Sequence, residues 1–241
     1  MIDIHQHLLW GIDDGADSAK TMYRMLLKAS KAGIDTVFAT AHARPGKIPF
    51  PKERYLQRIR DAKEIAAQKE LKLQIGMGAE VLYSGQALKE LNEGLIPTLN
   101  GTEFVLVEFY IDSTYSQILD GLRELSNEGY CPILAHVERY DCLIKQTEEK
   151  VQELKNFRVR LQMNAGTVIR NDRLFSDKTV KTMLKNDSID YISSDAHGDS
   201  IRPINLSDAY RIICKKYGTE RAEKLFEGNQ RCDLLKEGIM A

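Results

Sequence analysis

The stretch Ile2-Asp3-Ile4-His5-Gln6-His7 reads as a short buried strand that ends in two histidines one residue apart. On a strand that spacing puts both imidazoles on one face, where they can grip a single cation, and it predicts that Asp3 shares the face. The same arrangement, an apolar run that ends in a chemically competent side chain, recurs along the chain. Further predicted strands are Thr36–Ala41, Leu73–Glu80, Phe104–Tyr110, Cys131–Val137, Arg160–Ala165 and Asp190–Ser194, each rich in residues that suit a buried parallel strand. Helical stretches lie between them. One is capped by Asp17 or Ser18, runs through about Ala32 and stops at Gly33. Others cover Lys52–Lys69, Ser84–Glu93, Ser116–Glu128, Thr147–Lys155, Asp177–Asn186, Leu206–Tyr217 and Thr219–Glu227. Alternation of this kind predicts an α/β fold, with βα units around a parallel sheet or barrel and about seven repeats.

Composition narrows the field. The 241 residues carry 34 Lys+Arg against 35 Asp+Glu, a net charge of −1, which argues against binding nucleic acid through phosphate neutralisation. No apolar run approaches the roughly 20 residues of a membrane helix. An acid stands at Asp3, where a signal peptide would be basic, so the expected location is cytoplasmic. No linker or repeat divides residues 1–241, so one domain is expected, with Ala43–Pro51 and its three prolines a rigid loop. Cys131, Cys142, Cys214 and Cys232 form no C-x-x-C pair, and none has an arginine six positions on, which removes the C-x5-R loop of cysteine-dependent phosphatases.

All five histidines, His5, His7, His42, His136 and His197, fall at or just past the C-terminal end of a predicted strand, the face where parallel α/β folds place their sites. Asp13-Asp14-Gly15 follows the first strand; it reads either as a turn and helix cap or as a ligand donor, with Asp14 preferred. Glu80 and Glu108 lie in apolar runs, where a carboxylate needs a partner: an arginine, or a cation. Asp195 and His197 form a D-x-H pair. Five His, two Glu and two Asp exceed what one tetrahedral ion takes and fit two or three divalent metals that share carboxylates. The mixed nitrogen and oxygen donors suit Mn, Fe or Zn, and clustered ions of this kind serve phosphoester hydrolysis.

The ordered set H-x-H, D-D-G, H-x-R, G-A-E, A-H-x-E-R-Y and S-D-x-H resembles the PHP (polymerase and histidinol phosphatase) superfamily. More narrowly it resembles the manganese-dependent bacterial protein-tyrosine phosphatases of capsule and exopolysaccharide gene clusters, which also share Ile96-Pro97-Thr98-Leu99-Asn100. The resemblance implies a distorted (β/α)7 barrel with a trinuclear centre. One metal would take His5, His7, Glu80 and Asp195; a second Glu80, Glu108 and His136; a third Asp14, His42 and His197. Arg139 and Arg202 would grip phosphate, with Arg44 a weaker candidate. Hydroxide held between metals would attack phosphorus in line. The implied substrate is a tyrosine-phosphorylated protein, namely a bacterial tyrosine kinase of polysaccharide export. The alternatives are a small-molecule enzyme such as histidinol-phosphate phosphatase and a non-catalytic metal-binding module. Three positions depart from the branch: Trp10, expected near the metal mouth, Gly198 and Gln230.

Overall fold

The computed structural model describes residues 1–143, 147–173 and 177–235, without the side chains of 171–173. Seven strands run parallel in chain order: β1 (Ile2–Gln6), β2 (Thr36–Ala43), β3 (Gln74–Leu82), β4 (Phe104–Glu108), β5 (Cys131–Leu134), β6 (Arg160–Asn164) and β7 (Tyr191–Ser193). The chain just beyond β7 turns back onto β1. Asp195 N–H donates to His5 O and His7 N–H to Ala196 O, both at 2.9 Å, so the sheet curls into a nearly closed barrel.

The helices between strands are α1 (Ala19–Lys31), α2 (Lys52–Gln68), α3 (Ala87–Asn92), α4 (Tyr115–Asn127), α5 (Thr147–Lys155), and α6 (Ala165–Arg173) with α7 (Lys178–Lys185). Beyond the barrel follow α8 (Leu206–Tyr217), α9 (Thr219–Glu223) and α10 (Asn229–Leu234). Ser18, of the two candidates, caps α1 by accepting Thr21 N–H, and Thr114 with Gln117 forms a capping box on α4. Each such cap is worth about 1 kcal/mol. The predicted helix Thr219–Glu227 is interrupted by a π turn at Lys224–Gly228 and continues as α10, and α6 was not expected from its polar, Gly-containing sequence.

Strand periodicity sorts the core. Val37, Ala39, Val105, Val107, Leu134 and Leu161 face outward onto Met22, Leu26, Ile59 and Leu122 of the helices. The alternate residues Phe38, Phe104, Leu106, Ile133 and Tyr191 fill the barrel with Ile2 and Ile4. Burying each large side chain contributes about 1.5–3 kcal/mol. Tyr55 of α2 is fully buried; its hydroxyl donates to Ala39 O and accepts Gly78 N–H, both at 2.8 Å, latching the helix to β2 and β3.

Period 2 then carries the barrel face upward to the site: from Phe38 through Thr40 to His42, from Gly78 to Glu80, from Leu106 to Glu108, from Ser193 to Asp195. β1 breaks this rule. Its register with β2 shifts between Asp3 and Gln6, so Ile4 packs in the barrel while His5 also faces it. Asp3 is thereby turned away from the histidines. It accepts Ser194 N–H at 3.0 Å and Gln6 Nε2–H at 2.7 Å, contrary to the shared face that its spacing predicts.

Candidate metal centre

Glu80 stands at the middle of the strands' C-terminal ends, 1% exposed and ringed by four imidazoles. Its Oε1 is 3.0 Å from His136 Nε2 and 3.2 Å from His5 Nε2; its Oε2 is 3.1 Å from His42 Nδ1 and 3.2 Å from His7 Nε2. The β2–β3 register sets this up by making His42 the neighbour of Glu80. Glu108, the last residue of β4, lies 3.2 Å from His42 Nδ1 and 3.5 Å from His136 Nε2. Asp195 Oδ1 is 3.4 Å from His5 and 3.6 Å from both His7 and His197. Asp14, on the exposed loop after β1, reaches His42 Nε2 at 3.4 Å and His197 Nε2 at 3.6 Å. All nine side chains singled out from the sequence thus meet in one place.

The donors fit a cluster of divalent ions. The buried nitrogens His5 Nε2, His7 Nε2, His42 Nδ1 and His197 Nε2 have carboxylate oxygens close by yet make no aligned hydrogen bond. A cation on their lone pairs would satisfy them. Among the described residues three donor sets lie close enough to hold an ion: His5, His7 and Glu80; His42, Glu80 and Glu108; and His7, Asp14, His42 and His197. These overlap the three expected groups in part: Asp195, expected with His5, His7 and Glu80, is in none of the sets. His42 joins Glu80 and Glu108 where His136 was expected, and His7 joins the third set.

The carboxylates and imidazoles of the cluster set one another's charge. Burial works to raise the Glu80 carboxyl, but His5, His136 and His7 outweigh it and hold the group well below the usual range. Burial likewise opposes protonation of His136, yet Glu108 and Glu80 push it up to about 10. His197 goes the other way, to about 4, through burial, His7 and Arg202.

Residues outside the nine aim the ligands. Asp13 is the buried partner of the D-D-G pair. Its Oδ2 accepts His7 Nδ1–H at 2.7 Å and His42 N–H at 2.9 Å, so His7 turns Nε2 to the cluster. The turn closes on His7 so tightly that a Cβ on Gly15 would lie 2.1 Å from His7 O. On β6, Gln162 Oε1 accepts His136 N–H at 2.8 Å and His5 Nδ1–H at 3.2 Å. Gln162 passes a hydrogen bond to Asn164 at 2.9 Å, and Asn164 donates to Asp195 Oδ2 at 2.7 Å. Arg202 donates to the same oxygen at 2.7 Å, leaving Oδ1 for the imidazoles. His136, Asp195 and Arg202 hold left-handed backbone at φ 35°, 53° and 49°.

A cleft of about 470 Å³ opens over the cluster, walled by Arg44, Lys47, Phe109, Tyr110, Arg139 and Arg202. Trp10 is not among its walls. It packs on the core under the Arg58 guanidinium, 3.6 Å from the ring centre, which overturns its expected place near the metal mouth.

The family model described as "Capsular polysaccharide synthesis, CpsB/CapC" matches residues 1–235. The chain belongs to the CpsB/CapC family. A similar CpsB/CapC relative is the tyrosine-protein phosphatase CpsB of Streptococcus pneumoniae, 35% identical over 99% of this chain and 100% of that one. A solved structure from work on YwqE of Bacillus subtilis and CpsB of S. pneumoniae, described as unique metal-dependent tyrosine phosphatases, superposes with a TM-score of 0.84. It is 25% identical and covers 98% of this chain and 94% of that one. Histidinol phosphate phosphatase of Lactococcus lactis shares the fold at a TM-score of 0.53, with 16% identity over 92% and 93% of the two chains. Gln230 and Gly198, the other two expected departures, have local roles. Gln230 is fully buried and donates to Leu225 O at 2.7 Å across the π turn. Gly198 leaves room for Ile201 O, which a Cβ would approach to 3.1 Å in the loop that carries Arg202.

Proposed function

We propose that this chain is a metal-dependent phosphatase that hydrolyses phosphotyrosine in proteins. The observation that carries the reading is Glu80, a buried carboxylate shared by four imidazoles beneath a cleft lined with arginines. Two or three divalent ions would be held by His5, His7, Asp14, His42, Glu80, Glu108, His136, Asp195 and His197. Manganese is the metal that the family resemblance implies; the nitrogen and oxygen donors suit Fe and Zn equally. Bound there, such ions lower the pKa of coordinated water toward neutrality and offset phosphoryl charge.

The chain's own groups do the rest. Arg139 is exposed on the cleft wall and has no carboxylate partner among the described residues, so its fork is available to phosphate oxygens. Arg202 sits between Asp195 and the cleft, able to keep one donor on the carboxylate and offer others to phosphate. Together they orient the ester and neutralise charge as phosphorus is attacked in line. The leaving phenolate, with an ordinary pKa of about 10, needs little protonation help. No cysteine lines the cleft, in keeping with direct attack by water.

The family's link to capsular polysaccharide synthesis supports a tyrosine-phosphorylated kinase of that system as the substrate and a cytoplasmic place of action. No described helix is long and apolar enough to cross a membrane. The test compares turnover of a phosphotyrosine peptide with that of histidinol phosphate in the manganese-loaded protein. Preference for the peptide is expected; preference for histidinol phosphate would move the chain to the small-molecule branch.

A further inference from the structure

Among the described residues five large apolar side chains are exposed: Ile48 (58%), Leu95 (47%), Tyr110 (51%), Ile111 (47%) and Ile201 (81%). They are not scattered. Tyr110 and Ile111 line the catalytic cleft itself. Ile201 borders a hollow that shares His197 and Arg202 with the cleft. Ile48 and Leu95 face each other across a groove of about 440 Å³ that meets the cleft at Lys47. A collar of apolar surface around one opening marks a contact region.

The Ile48–Leu95 groove is held in shape from both sides. On one wall, Ile48 N–H donates to Arg44 O at 3.1 Å, and Ser84 Oγ–H donates to Pro45 O at 3.0 Å. The walls are tied together by Gly46 N–H to Glu90 at 2.7 Å and by Lys52 Nζ to Gly94 O at 2.6 Å. Lys47 then spans to the opposite rim of the cleft, where its ammonium contacts the Tyr110 hydroxyl and ring. Apolar side chains displayed on a pre-shaped loop lose little entropy when a ligand covers them.

We propose that this groove, floored by Pro49 and Phe50 and walled by Ile48 and Leu95, seats an apolar side chain next to the phosphotyrosine of a polypeptide substrate. The inference rests on the phosphotyrosine reading. The argument for this occupant is continuity: groove and cleft share Lys47, so a chain whose phosphorylated side chain enters the cleft must lay its neighbouring residues along the rim. Charge agrees, because Arg44 and Lys47 stand at the junction, where the entering phosphate and the peptide carbonyls pass.

The test uses the manganese-loaded full chain, in wild-type form and with Ile48→Asp and Leu95→Asp combined. Three substrates are compared: free O-phosphotyrosine, a phosphotyrosine peptide with leucine or isoleucine flanks, and the same peptide with glycine and serine flanks. The wild type should favour the apolar-flanked peptide over the polar one. The double variant should lose about tenfold in kcat/KM on the apolar peptide, mainly through KM, and lose that preference. Its rate on free phosphotyrosine should stay within about twofold, since neither residue lines the cleft. Equal rates of the two proteins on the apolar peptide would overturn the groove. So would a shift of the variant to a smaller oligomer without a change in peptide kinetics, which would make the groove a self-association face. A wild type inert on all three substrates would instead defeat the phosphatase reading on which the groove depends.

Discussion

Asp13 and His7 form a buried pair in which the carboxylate oxygen accepts the imidazole Nδ1–H at 2.7 Å. The bond fixes the tautomer and points the other ring nitrogen at Glu80, 3.2 Å away. The His7 imidazole is held well above its ordinary pKa, because Asp13, Asp195 and Glu80 outweigh its burial. Burial opposes ionisation of Asp13, but His7 brings its carboxyl down to about 2. Removing the charge while keeping the shape, as in Asp13→Asn, should weaken manganese binding about 10- to 100-fold. Metal titration followed by dialysis measures this; unchanged affinity would show that Asp13 serves only the turn.

The two arginines should separate by what they touch. Arg139→Ala removes a group that faces only the cleft. Turnover should fall about 10²- to 10³-fold with metal content intact. Arg202→Ala also removes one of the two donors on Asp195 Oδ2, leaving Asn164 alone, so it should lower metal affinity as well as turnover. Metal analysis beside kcat tells them apart, and full metal content in both variants would remove Arg202 from its tie to Asp195.

Metal binding should weaken on acidification. His136 is raised to about 10, chiefly against the pull of burial, so at neutral pH its imidazole carries a proton that an incoming cation must displace. Releasing that proton becomes less favourable as the pH falls, which favours the metal-free form. The manganese dissociation constant measured from pH 8 down to pH 6 should therefore rise; a constant value would mean that no proton is released.

Thiol chemistry should be irrelevant to catalysis. Cys131 lies in the barrel among apolar side chains, and Cys142, Cys214 and Cys232 stand away from the cleft walls. Iodoacetamide treatment of the loaded protein should leave most phosphotyrosine turnover intact. Stoichiometric inactivation at one cysteine would contradict hydrolysis by water.

Eight of the nine ligand candidates were legible because each lies at or just past the end of an apolar run, where such side chains have few other uses; Asp14 was legible only from its turn after the first strand. Strand pairing, which period 2 within one strand cannot supply, brought His42, Glu80 and Glu108 to one face. Asp3 shows where local spacing fails: the register shift in β1 depends on closure against the segment after β7, a contact 190 residues away in sequence. Of Asp13 and Asp14, one became the buried orienting acceptor and the other the exposed donor, a distinction made by the fold of the turn on His7. Gln162 and Asn164 left no mark, since neutral amides on a strand resemble any polar alternation until their partners on β1 and β7 are known. Trp10 was misplaced for a similar reason: its partner Arg58 comes from α2, and only packing brings them together.

In the proposed reaction, imidazoles and carboxylates from the ends of six strands gather several ions for one hydrolysis. Chelator-stripped protein, reloaded with manganese and freed of excess metal, should carry two to three equivalents per chain by elemental analysis and regain hydrolysis of a phosphotyrosine peptide. Less than one equivalent bound, or turnover that the chelator leaves unchanged, would contradict it.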